Sequence, residues 1–93
     1  MATVIIPTPL RKFTDQQASV KLDAETVQAA IDRLIELYPV LAQHLLDKEG
    51  QVRAFVRIFL EDEDILALDG PNTALKSDST LSIIPAIAGG IDL

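Results

Sequence analysis

Two adjacent glycines, Gly89 and Gly90, are the residues in this chain whose type and spacing most invite chemistry. They follow an alternating stretch, Ser79-Thr80-Leu81-Ser82-Ile83-Ile84, then Pro85 and the small apolar string Ala86-Ile87-Ala88, and they precede Ile91-Asp92-Leu93. Nothing in that tail drives folding. Pro85 has no N–H for a central ladder, the apolar mass after Ile84 is too small for a helix, and a glycine pair has the largest backbone entropy to lose. The physical reading is a compact body with a thin arm, slim enough at its end to enter a channel that any side chain would block. A frayed terminus carries the same signature, so at this level both readings stand.

Other candidate chemistry is poorer. His44 is the only histidine and there is no cysteine, so no thiolate or second imidazole can join it around zinc. His44 is therefore expected at the surface or at a boundary. Glu61-Asp62-Glu63-Asp64 concentrates carboxylates but lacks the alternate oxygen spacing and the glycine of a calcium loop. It reads as a solvated turn. Ser77, Ser79 and Ser82 have no base nearby in sequence, and four glycines, two of them in the tail, make no phosphate-cradling loop. The chain is thus expected not to be an enzyme, to hold no metal and to bind no cofactor of its own.

The elements that must carry such a tail can be read from periodicity. Ninety-three residues, 48% hydrophobic and 24% charged, suffice for one domain with a modest core. The formal charge of -6 argues against nucleic acid, where phosphates call for clustered Lys and Arg. The start, Met1-Ala2-Thr3-Val4-Ile5-Ile6-Pro7, has neither a basic leader nor a long apolar run, and no window reaches the ~18 apolar residues of a membrane span. A soluble cytoplasmic protein is expected.

Thr3 to Ile6 and Ala18 to Leu22 predict two strands of a hairpin joined by a loose polar loop over 11–17. Val27, Ala30, Ile31, Leu34, Leu37, Tyr38 and Leu41 follow the 3.6-residue period of a helix lying on a core, with Thr26 or Asp23 as cap. Pro39 should end it at Tyr38 and open a short second helix, Val40 to Leu46. Val52 to Leu60 predicts a central strand with Val56, Ile58 and Leu60 on one face and Phe55, Arg57 and Phe59 on the other. Ile65 to Leu68 predicts a short strand or its remnant, Thr73 to Leu75 one helical turn, and Thr80 to Ile84 the last strand. On that strand Leu81 and Ile83 should point inward, with Ser82 and Ile84 on the open surface beside Phe59. Phe59, Ile84 and Ile87 then form a candidate apolar patch for a partner, unless the second helix or the N-terminal loop covers them.

Strands, helix and strands in that order give an α+β class. The simplest topology is a β-grasp: a mixed sheet of four to five strands with one main helix and a short second helix on one face. The domain is expected over 1–86, and 87–93 as a flexible tail.

These residues meet a known pattern. Phe55-Val56-Arg57-Ile58-Phe59-Leu60-Glu61-Asp62-Glu63-Asp64-Ile65, Gly70, Thr73-Ala74-Leu75 and Leu81-Ser82-Ile83-Ile84-Pro85-Ala86-Ile87-Ala88-Gly89-Gly90 resemble the ubiquitin-like sulfur-carrier family, the MoaD/ThiS-like proteins. Ile5-Ile6-Pro7-Thr8-Pro9-Leu10-Arg11 and the Tyr38-Pro39 helix end are similar too, so the likeness spans the chain. The resemblance implies a β-grasp fold and a defined task. A ubiquitin-activating-like adenylyltransferase would use ATP to adenylate the carboxylate of Gly90, which would become a thiocarboxylate. Sulfur would then pass to a partner synthase, either a cysteine synthase or the large subunit of molybdopterin synthase. Ala88 and Gly89 would thread the channel behind Gly90. Ile84, with Phe59, would dock the activating enzyme.

The pattern leans toward the carrier of a cysteine-forming route over the molybdopterin subunit. One departure matters: Gly90 is followed by Ile91, so its carboxyl is locked in a peptide bond. The resemblance implies a precursor, from which a zinc-dependent peptidase removes Ile91-Asp92-Leu93. Two other readings remain open, a ubiquitin-like modifier joined to lysines of other proteins and a passive binding module.

Overall fold

A computed structural model describes residues 1–53 and 56–85. Two antiparallel strands begin it, β1 (Ala2–Ile5) and β2 (Ser19–Leu22), paired from Ala2 with Leu22 to Ile5 with Ser19. Helix α1 (Val27–Leu37) follows, then the single-turn helix α2 (Leu41–Leu45). Strands β3 (Val56–Leu60), β4 (Glu63–Asp64) and β5 (Thr80–Pro85) complete a five-stranded sheet of order β2-β1-β5-β3-β4. Only β1 and β5 run parallel. The returning last strand therefore lies between β1 and β3, and the arrangement is a β-grasp.

Local chemistry explains the helices. The Thr26 hydroxyl accepts a 3.1 Å hydrogen bond from the Ala29 N–H, satisfying a donor that the first turn leaves unpaired. Pro39 stops α1 as expected, with Tyr38 as its last capping residue. Val27, Ala30, Ile31 and Leu34 form the buried stripe. They meet Val4, Val20, Leu22, Val56, Ile58, Leu81 and Ile83 from the inner face of the sheet, while Leu41 and Leu45 of α2 close one end. Each fully buried Leu or Ile contributes about 1.5–3 kcal/mol of transfer free energy, so this one layer of contacts is the chief stabilising term.

Four expectations need correction. The strand expected from Val52 to Leu60 is regular, among the described residues, from Val56 to Leu60, and it lies between β5 and β4. Val52 instead makes an isolated bridge with Leu46. Residues 65–67 form a 3-10 turn rather than a strand, because the Asp64 carboxylate caps the Leu66 N–H at 2.9 Å and only Ile65 finds the core. Thr73 to Leu75 is extended, with Ala74 bridging Thr26, and the helical turn falls earlier at Gly70–Asn72. The segment after β1 is not loose. It winds as a 3-10 helix over Thr8–Phe13 that buries Leu10, and Thr14 behind it is fully buried. The Thr14 hydroxyl faces the carbonyls of Arg11 and Gln17 at 3.2 and 3.1 Å.

The expected boundary between a body over 1–86 and a tail over 87–93 falls outside the described residues, as does the expected outward side of Phe55.

Candidate functional site

Alternation along β3 and β5 sends every second side chain away from the helices. Ile58, Ile83 and Leu81 point into the core, and Arg57, Phe59, Ser82 and Ile84 stand on the opposite face. Cross-strand register sets their neighbours. Arg57 lies opposite Ile84 and Phe59 opposite Ser82 on β3 and β5, and Ser82 in turn lies opposite Ile5 of β1. Neither α1 nor α2 covers this side, since both pack on the inner layer. Ile84 is 48% exposed and Ile5 36%; Phe59 is half-buried among them. Phe59 and Ile84 are thus brought together on an open face, as expected.

Ile5 completes the patch and went unrecognised. Thr3-Val4-Ile5-Ile6 is β-branched at every position, so its pattern does not tell inside from outside. Only the pairing of β1 with β5 assigns Val4 inward and Ile5 outward. Ile87, Ala88, Gly89 and Gly90 lie outside the described residues. The strand that leads to them is the central one, and it ends at Pro85 opposite Val56. The patch therefore lies close to where the described residues end.

Charge borders this patch on one side. Arg57 Nη1 donates to Asp64 Oδ2 at 2.7 Å, and Asp64 Oδ1 accepts the Leu66 N–H. The Leu66 N–H and then the Arg57 guanidinium hold the Asp64 carboxyl below its usual value. Beyond this pair, a cavity of ≈ 440 Å³ opens beside the part of β3 that β4 does not reach, walled by Val56, Ile58, Ile65 and Leu66 together with Arg57 and Asp64.

The remaining candidates are not gathered into a site. His44 is exposed and stacks on the Phe13 ring, with centroids 4.4 Å apart and planes at 24°. That contact ties the 3-10 segment to α2 and serves packing. Ser79 is buried, its hydroxyl accepting from the Lys76 N–H at 2.8 Å. Glu61 and Asp62 turn the chain between β3 and β4, and among the described residues no group of three or more His, Cys, Asp or Glu could hold a metal ion. No helix of the described residues is long and apolar enough to cross a membrane.

Known proteins share both sequence and shape with this chain. It is 38% identical over 90 residues to the sulfur carrier protein CysO of Mycobacterium tuberculosis, across 95% of this chain and 97% of that one. A chain in the crystal structure of the BexX/CysO complex of Amycolatopsis orientalis superposes with a TM-score of 0.87 at 33% identity, over 97% of this chain and 100% of that chain. The small archaeal modifier protein 3 of Haloferax volcanii is 32% identical over 68 residues, or 73% of each chain. The ThiS family model matches residues 4–90: it spans the sheet, the helices and the open patch and stops on the second glycine, and the chain belongs to the ThiS family.

Proposed function

We propose that this protein is a sulfur carrier whose Gly90, once freed from Ile91, is activated by adenylation and converted to a thiocarboxylate that supplies sulfur to a synthase of cysteine formation. The observation that carries the reading is the extent of the family match, which ends at Gly90 itself; the likeness to CysO over nearly the whole chain supports the cysteine-forming branch.

The chemistry suits the residues. A carboxylate resists nucleophilic attack because its charge is spread over two oxygens. In the first step an oxygen of the Gly90 carboxylate attacks the α-phosphorus of ATP and pyrophosphate leaves. In the second, sulfide attacks the acyl carbon and AMP departs, leaving a C-terminal thiocarboxylate. Glycine at that position keeps the carbonyl unhindered, and Ala88 and Gly89 add little width behind it. The carrier contributes presentation, and its partners contribute the catalysis, so the chain itself is not an enzyme and binds no cofactor.

Partners follow from the same reading: a ubiquitin-activating-like adenylyltransferase that seats the patch of Ile84, Phe59 and Ile5, a cysteine synthase that receives the sulfur, and a zinc peptidase that opens the Gly90–Ile91 bond. Such ATP-dependent traffic belongs in the cytoplasm. A modifier role, with Gly90 joined to a lysine, is the second reading, favoured by the likeness to an archaeal modifier protein.

Intact-mass analysis decides between them. The full chain is incubated with the peptidase, then with adenylyltransferase, ATP and sulfide. The expected result is cleavage after Gly90 and a gain of one sulfur for one oxygen. Adducts on protein lysines with no thiocarboxylate would select the modifier instead, and no product from a chain ending at Gly90 would reject both.

A further inference from the structure

We propose that Arg57 is the polar anchor of the docking face, and that it receives a carboxylate which the partner protein places beside its contact with Ile84. The proposal rests on the open face being the docking surface of the carrier.

Position is the first observation. Arg57 lies directly across from Ile84, the last outward-facing residue described on β5, so a partner that covers Ile84 must also meet the guanidinium. Orientation is the second. An exposed ion pair adds little to stability, and the Arg57 side chain is 53% exposed. What the 2.7 Å bond to Asp64 does achieve is to fix the plane of the guanidinium, because Asp64 is itself pinned by the Leu66 N–H. A long, flexible side chain is thereby ordered before binding, which lowers the entropy lost on association.

Capacity is the third. A guanidinium carries five N–H donors in a planar fork, and its described contacts with Asp64 use one. Arg57 also walls the ≈ 440 Å³ cavity at the edge of β3, whose lining mixes apolar side chains with Gln28, Gln51 and Asp64 and leaves room beside the guanidinium. An aromatic and an aliphatic contact with an arginine at their border is the composition from which interface hot spots are built. Arg57 supplies a cationic group, shared with the single carboxylate of Asp64, on a protein of formal charge -6. At distances beyond the ~8 Å screening length of physiological salt, the chain attracts basic surfaces; at the patch itself it selects for a carboxylate.

The test measures the dissociation constant of the full chain for the adenylyltransferase of the same genome, without and with ATP, at low and high salt. Arg57→Glu is expected to weaken binding about tenfold or more, and Arg57→Lys, which keeps the charge but not the fork, by a smaller factor. Raising the salt should narrow the gap between Arg57→Glu and the parent. Lys21→Glu, also outward on the sheet but on β2, should stay within about twofold. Thermal unfolding of each variant confirms that the fold is kept. Binding by Arg57→Glu equal to the parent's would overturn the anchor, and so would an effect seen only when ATP is added, which would assign the anion to the nucleotide. Ile84→Asp separates the two levels: if it loses binding while Arg57→Glu does not, the anchor fails and the docking face stands; if both are silent, the docking face fails with it.

Discussion

Glu61 grips Thr80 by backbone and side chain together: its N–H donates to the Thr80 carbonyl at 2.9 Å, and its carboxylate accepts the Thr80 N–H at 3.0 Å. The second bond uses a side-chain oxygen where the ladder between β3 and β5 has run out of backbone acceptors. Glu61 reaches that position at a φ of 55°, a left-handed conformation that costs an ordinary residue about 1–2 kcal/mol. Substitution separates the two effects. Glu61→Ala keeps the backbone strain and loses the carboxylate, so it should destabilise by about 1 kcal/mol. Glu61→Gly loses the same bond but removes the strain, and should be closer to the parent. Urea midpoints for the pair read this directly. Equal losses would mean that the left-handed backbone carries no strain worth relieving.

Asp64 sets a pH dependence. Its folded carboxyl is lowered by the Leu66 N–H and by Arg57, so the unfolded chain holds the proton more tightly than the folded one. The stability it contributes is therefore present above the unfolded value of about 3.9 and is lost as pH falls through the lower folded value. Asp64→Asn should flatten the stability profile over that acidic window by removing the contribution above it, a small loss at pH 7 since the pair is largely exposed, with little change at the acid end. Denaturant midpoints from pH 2 to pH 5 measure it.

The interior predicts larger effects. Leu34 is fully buried on α1 within the cluster that joins helix to sheet. Leu34→Ala should cost about 2–5 kcal/mol through lost transfer free energy and the cavity left behind. Domains of this size are stable by only about 5–15 kcal/mol, so the variant should unfold at a much lower urea midpoint. Thr26→Ala removes only the bond to the Ala29 N–H and should cost about 1 kcal/mol. If the two losses came out alike, the cap would hold helix α1 as strongly as Leu34 of its buried face does.

What the sequence reveals, and where it stops, follows from which forces are local. Helix α1 is legible because Val27, Ala30, Ile31 and Leu34 repeat at the helical period, and Pro39 ends it by chemistry that needs no partner. The alternation in 80–84 likewise assigns Leu81 and Ile83 inward. Ile65-Leu66-Ala67-Leu68 misleads because four apolar residues in a row give no period, and the deciding contact is a capping bond from the Leu66 N–H to Asp64. The central place of β5 follows from the order of elements, a hairpin, a crossover helix and a returning last strand, and its parallel pairing with β1 bears it out. That long-range pairing also decides Ile5, whose exposure no local pattern in a β-branched run could show.

Ile5 therefore offers the sharpest check on the open face. It stands opposite Ser82, which stands opposite Phe59, so one row crosses β1, β5 and β3 with apolar side chains on both flanks. A partner that seats Ile84 and Phe59 through a continuous apolar contact must reach Ile5 as well. Ile5→Asp should weaken binding to the adenylyltransferase about tenfold, with a stability change of about 1 kcal/mol or less because the side chain is already partly in water. Combined with Ile84→Asp, the loss should fall short of the two single losses added together, since both residues would belong to one desolvated contact. Strict additivity would place Ile5 in a separate contact, and parent-like binding by Ile5→Asp would confine the docking surface to β3 and β5, on the side of the sheet where Arg57 stands.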